Sequence, residues 1–149
     1  MKRELKFRAW DKDNSKMLNN IYEIWRLDNK AFNEPSEHNN LRLAWANEKG
    51  HGYWRDIIPS QVELMQFTGL QDKDGNEIYE GDILDDNWQI HFYRGMFVAV
   101  RCGLIPNMDN SYQIFWVVEN EHCVIGNIYE NAELLNVQPI KEPMCGDGG

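Results

Sequence analysis

Trp88-Gln89-Ile90-His91-Phe92-Tyr93, followed by Arg94-Gly95 and then Met96-Phe97-Val98-Ala99-Val100, is the stretch that decides the fold. Large apolar groups fall at every second position, Trp88, Ile90 and Phe92. A period of two belongs to a strand, because successive side chains point to opposite faces. Trp88, Ile90 and Phe92 are therefore expected on the buried face. Gln89, His91 and Tyr93 are expected toward solvent. Gly95 separates this run from a second apolar run, so the pair reads as a β-hairpin.

The same grammar extends in both directions. Leu5, Phe7 and Ala9 alternate with Lys6 and Arg8, which gives a strand with one wet face. Asp11-Lys12-Asp13-Asn14-Ser15 is a cluster of turn formers. The apolar pattern resumes at Lys16-Met17-Leu18, with a return strand continuing through Ile21-Tyr22-Glu23-Ile24-Trp25. Residues 28 to 40 are poor in aliphatics and read as a loop. Leu41 to Trp45 alternates again, Tyr53 to Ile58 is short and mixed, and Gln61 to Phe67 carries apolar groups on both faces. Thr68 to Glu77 is expected to be a turn-rich connection, with Asp74-Gly75 as its tight turn. Tyr112 to Val118 is the most strand-like run of the chain. A short segment from Cys123 to Tyr129 follows, and Asn131 is placed to cap one helical turn at Ala132 to Leu135. Pro139, Pro143 and the closing glycines suggest a flexible tail over 138–149. About eight closely spaced strands and no long helix predict a mostly β fold, a small barrel-like or strongly curved sheet with short helical turns.

Composition supports that class. The chain has 149 residues, enough to bury a core without metal or disulfide. Six Trp, six Tyr and six Phe can fill a small β core with few residues. Fifteen basic against twenty-four acidic side chains give a net charge of −9, which weighs against non-specific nucleic-acid binding. Lys2, Arg3, Lys6 and Arg8 form the one dense basic cluster. Three cysteines, Cys102, Cys123 and Cys145, stand at no metal-like spacing. The charged opening and the lack of a long apolar run predict a cytoplasmic protein with reduced thiols.

Three blocks resemble a known family. They are Lys6-Phe7-Arg8-Ala9-Trp10-Asp11 with Lys16-Met17, the long run from Val62 to Ile83, and Val124-Ile125-Gly126-Asn127-Ile128-Tyr129-Glu130-Asn131 with Leu134-Leu135. In order and wording they are similar to the YopX family of small phage and prophage proteins. The resemblance implies a barrel-like β fold over 1–137, self-association, and a setting in the bacterial cytoplasm. It brings no activity and no cofactor. Residues 28 to 60 match the family pattern poorly and are expected to hold this chain's own variation.

Near-motifs fail on spacing. Asp72-Lys73-Asp74-Gly75-Asn76 opens like a calcium loop, but its glycine stands fourth instead of sixth. Asp11 to Ser15 has no glycine after it, and the twelfth position is Tyr22. Both read as turns. His38, His51, His91 and His122 form no ligand pair, so no metal site is expected. Glu80 and Asp82 flank Gly81 and could share a face for acid–base work. The structural alternative is a bend in which Asp82 bonds its own backbone.

Arg8, Trp10, Tyr79, Glu80, Asp82, Asn127, Tyr129 and Glu130 lie in the three blocks and mix arginine, aromatics and carboxylates, the types that anchor interfaces. They are the candidate partner-binding residues, with packing as the competing explanation. Three functional readings follow: a phage accessory protein that binds itself or a host or phage protein, a single-strand nucleic-acid binder, and an enzyme using Glu80, Asp82 or His91.

Overall fold

The hairpin at the centre of the sequence forms as its alternation requires. Trp88–Tyr93 and Met96–Arg101 pair antiparallel, from Trp88↔Arg101 to Tyr93↔Met96. Arg94 and Gly95 both take positive φ between them, the conformation of a two-residue turn that follows strand twist. Both faces depart from expectation, since Gln89, expected toward solvent, is buried. Phe92 lies exposed and packs edge-to-face on Phe97, while His91 is half-buried. Burial depresses the His91 pKa, and its Nε2 is enclosed with no hydrogen-bond partner among the described residues.

The computed structural model describes residues 4–27, 40–118 and 122–136. All of the loop expected at 28–40 but Asn40, most of the turn expected at 119–122, the tail at 138–149, and Lys2, Arg3 and Cys145 lie outside them. Eleven strands and one α-helix are found among the described residues. In chain order they are β1 (Phe7–Asp11), β2 (Lys16–Leu27), β3 (Asn40–Ala46), β4 (Gly52–Ile57), β5 (Val62–Gln71), β6 (Glu77–Tyr79), β7 (Asp82–Leu84), β8 (Trp88–Tyr93), β9 (Met96–Arg101), β10 (Tyr112–Gln113), α1 (Ile114–Val118) and β11 (Val124–Asn127).

The mostly β expectation holds, but the barrel does not. The strands make two open antiparallel sheets, ordered β4-β3-β2-β1-β5-β6 and β10-β9-β8-β7-β11. Closure would require the end strands of one sheet to pair with each other. β4 and β6 do not, and neither do β10 and β11. The chain divides into two compact units, residues 1–67 and 68–149, with β5 running through the boundary.

In the first unit, Ala9, Ile21, Leu43, Ile57 and Val62 form the core, with Phe7, Leu41 and Trp45 packed against it. β2 carries a bulge opposite β1, where Phe7↔Ile21 is followed by Ala9↔Leu18. Asn20 absorbs the extra residue at positive φ, which asparagine tolerates. In the second unit, Ile78, Leu84, Trp88, Ile90, Ala99, Ile114 and Val117 form the core.

Two elements depart from their sequence reading. β5 continues to Gln71, so Thr68 to Gln71 is strand and not connection. The Thr68 hydroxyl donates to the Ile78 carbonyl at 2.7 Å, tying this end to β6. The strand expected over Tyr112 to Val118 is two residues of strand followed by a helical turn. Its buried residues are Ile114 and Val117, three apart, which is helical and not strand spacing. Fitting two aliphatics into one core overrides local β propensity.

Candidate functional site

The two turns that imitate calcium loops are built alike. Asp11 ends β1 with its side chain buried, and its Oδ1 accepts the Asp13 and Asn14 N–H groups. Its Oδ2 accepts the Asn14 side-chain amide at 2.8 Å and Arg55 Nη2 at 2.6 Å. Asp72 repeats the plan in the second unit. Its Oδ1 accepts the Asp74 and Asn76 N–H groups, and its Oδ2 accepts the Asn76 amide and the Val124 N–H. Burial works against both charges. The Asn14 and Arg55 donors outweigh it at Asp11, and the donors from Val124, Asn76 and Asp74 outweigh it at Asp72, so both carboxyls lie below the usual range. These aspartates lock turns.

One grouping was not legible in the sequence. Asp72, Asp74 and Cys123 bring one ligand-type atom each within 4.8 Å of one another. Cys123 Sγ donates to Asp74 Oδ2 at 3.2 Å. Burial and the neighbouring Asp74 push that thiol up, which leaves it protonated and a poor nucleophile. Both Asp72 oxygens already accept two hydrogen bonds each. Beside it, His122 Nδ1 lies 2.5 Å from Asp85 Oδ1.

The candidate partner-binding residues divide between the units. Arg8 and Trp10 are half-buried in β1, beside β5 partners Met65 and Glu63. In the second unit, pairing of β7 with β11 sets Asp82 directly across from Asn127. Asp82 is buried and accepts the Tyr79 N–H at 2.8 Å, so the bend around Gly81 closes on its own backbone. The Tyr79 hydroxyl donates to Glu77. Glu80, next along, is half-buried. Asn127, also buried, accepts the N–H groups of Tyr129 and Glu130 through Oδ1 and donates through Nδ2 to Glu130 Oε2 at 2.9 Å. Gly81 sits in the middle, its N–H donating to the Ile90 carbonyl and its carbonyl accepting the Ile128 N–H. A Cβ on Gly126 would meet the Asn131 side chain at 2.5 Å, so that glycine is required by close approach. The Tyr79-to-Asp82 and Asn127-to-Asn131 segments thus form one hydrogen-bonded network.

A different surface has the character of a binding site. On the outer face of β2-β3-β4, cross-strand rows place Glu23, Ala44 and Trp54 together, and Trp25, Arg42 and Asp56 together. Ala44 is the floor of a groove of about 410 Å³, walled by Tyr22, Glu23, Trp25, Arg42 and Trp54. Trp54 is 66% exposed, and Tyr22 and Trp25 are each 58% exposed. Arg42 lies over the Trp54 ring at 4.5 Å and is bidentate to Asp56 at 2.6 and 3.0 Å. Glu23 accepts the Trp25 indole N–H. The charges in the groove are thus met within the chain, while the rings are left to solvent. The sequence signal was three large rings set among polar neighbours, outside the recognisable blocks.

These features define a mostly β protein of two open antiparallel sheets, with locked turns and an aromatic groove. The YopX protein family model matches residues 6–136, and the chain belongs to the YopX family. No curated protein matches it. Among solved structures, the crystal structure of protein EF1440 from Enterococcus faecalis is similar, at 25% identity and a TM-score of 0.54 over 90% of this chain and 99% of that one. Among the described residues no helix is long and apolar enough to cross a membrane.

Proposed function

We propose that this protein acts by binding another protein, as an accessory protein of a phage or prophage in the cytoplasm of a bacterial host. The observation that carries the reading is the aromatic groove of β2-β3-β4, where Tyr22, Trp25 and Trp54 stand exposed around Ala44. Exposed tryptophan and tyrosine beside arginine are the residues that dominate interface energies. The unpaired thiols Cys102 and Cys123 suit a reducing compartment. Affinity capture of the tagged chain from host lysate should retain a reproducible partner, itself included. The combined variant Tyr22→Ala, Trp25→Ala, Trp54→Ala should lose it while keeping its circular dichroism spectrum. Undiminished capture by that variant would remove the groove from consideration.

A second reading, binding of single-stranded nucleic acid, gains from how the charge is divided. Residues 1–67 carry eleven basic and ten acidic side chains, a net +1, whereas residues 68–149 carry four and fourteen, a net −10. The unit that bears the aromatic groove is therefore not repelled by phosphate on its own account. A neighbouring cleft adds Lys16, Lys49 and His51 beside Trp45 and Tyr53. No shift of a labelled single strand at low salt would leave protein binding alone.

A further inference from the structure

We propose that the outer edge of β4 is a self-recognition edge, on which a second copy of this chain lays its own β4 antiparallel, with Trp54 facing Trp54. The inference rests on the reading that the protein works by protein binding, and it names the partner and the register.

The starting point is a comparison of edges. β4 ends the six-stranded sheet and pairs with β3 in unbroken register from Leu41↔Ile57 to Ala46↔Gly52. Every second residue of this six-residue strand turns its N–H and C=O to the other side, where no strand pairs with it among the described residues. The remaining sheet ends are short or broken. β6 has three residues, β10 has two, and β11 has four with a register shift. Short, irregular edges are how proteins avoid unwanted pairing. β4 has no proline, no lysine and no bulge. Its two charged side chains are drawn back into the chain, Arg55 to Asp11 at 2.6 Å and Asp56 to Arg42 at 2.6 Å.

The register follows from symmetry. An antiparallel pair of identical strands is related by a two-fold axis perpendicular to the sheet, and that operation keeps each face on its own side. The numbers of facing residues must then sum to an even value. Centring on Trp54 brings five residues of each copy together. Trp54 meets its counterpart on the groove face, Tyr53 meets Arg55 on the other face twice over, and Gly52 meets Asp56. Ring against ring is a favourable cross-strand pair, and with the Arg55 guanidinium held on Asp11 the arginine's aliphatic stem is what meets the phenol. Centring on Arg55 would oppose two guanidiniums, and centring on Tyr53 would leave three residues overlapping. Charge points the same way. The first unit is close to neutral, so a strongly acidic or basic partner gains little from it, and a second copy loses little. The −9 of the whole chain opposes approach at long range, so added salt should favour the pair.

The test is sedimentation equilibrium with native mass spectrometry on the full chain, on W54K, on W54E and on an equimolar mixture of the two variants. The wild type should reach twice its 17.6 kDa mass, with more dimer at about 500 than at about 50 mM sodium chloride. Each variant alone places like charges in direct opposition and should dimerise about tenfold more weakly or worse. The mixture should restore the heterodimer, because the opposed charges then attract. Melting curves confirm that both variants fold. A monomeric wild type, variants that dimerise unimpaired, or a mixture that stays monomeric would each overturn the proposal. If the wild type is monomeric yet capture of a host protein still depends on Tyr22, Trp25 and Trp54, the binding function stands and the β4 pairing falls.

Discussion

Asp11 shows how much of the first unit can depend on one side chain. It is 1% exposed, and its carboxylate joins a turn in β1-β2 to Arg55 in β4. Asp11→Ala removes four hydrogen bonds and leaves Arg55 without its carboxylate, and should destabilise the protein by about 2–4 kcal/mol in urea titration. The pH dependence has a definite sign. The folded pKa of Asp11 lies below the ordinary 3.8, so its stabilisation is complete above that value and is lost as pH falls through the folded one. Asp72, depressed in the same way, adds to the loss in that window. Wild-type stability should therefore fall in acid below about pH 4, and the fall should be shallower in Asp11→Asn. The sequence suggested turns at both aspartates because Asp, Asn and Gly favour turns. It could not reveal Arg55 or Val124, the donors that arrive from far along the chain.

At the scale of elements, strands were legible wherever one face is wet. β1, β3 and β8 alternate in sequence and strands form there, although β8 buries Gln89 and leaves Phe92 exposed. The helix α1 was not legible. Ile114, Val117 and Val118 are β-branched, and only their fit against Ile90, Ala99 and the rest of that core makes them helical. A strand would set Phe115 and Val117 on one face, whereas the helix separates them, with Val117 buried and Phe115 exposed. Val117→Ala should cost about 2 kcal/mol and Phe115→Ala less than about 0.5 kcal/mol in thermal unfolding. Similar losses at both positions would refute the helical assignment. The aromatic groove escaped a reading based on the recognisable blocks for a related reason. Tyr22, Trp25 and Trp54 come from two strands, and cross-strand pairing alone brings them around Ala44. The blocks instead supply the network around Gly81 and Asn127, where backbone geometry leaves little choice of residue.

For the whole molecule, the uneven charge outweighs its average. Fourteen acidic groups against four basic ones in residues 68–149 repel one another across a small unit. Raising sodium chloride from about 10 to about 300 mM should screen that repulsion and raise the melting temperature. The change should be followed at Trp88 and Trp116, the two tryptophans of that unit, after replacing Trp10, Trp25, Trp45 and Trp54 with phenylalanine. An unchanged midpoint would mean that ion pairs already neutralise the unit. The two locked turns also carry a consequence for time. Each turn can form locally, but Asp11 receives its last donor across 44 residues and Asp72 across 52. Until those distant segments arrive, each carboxylate must keep water that the native state excludes. Contacts closed over such spans form late, and chains dominated by them fold in milliseconds to seconds. Weakening either clasp should hasten unfolding and leave the speed of folding almost unaltered.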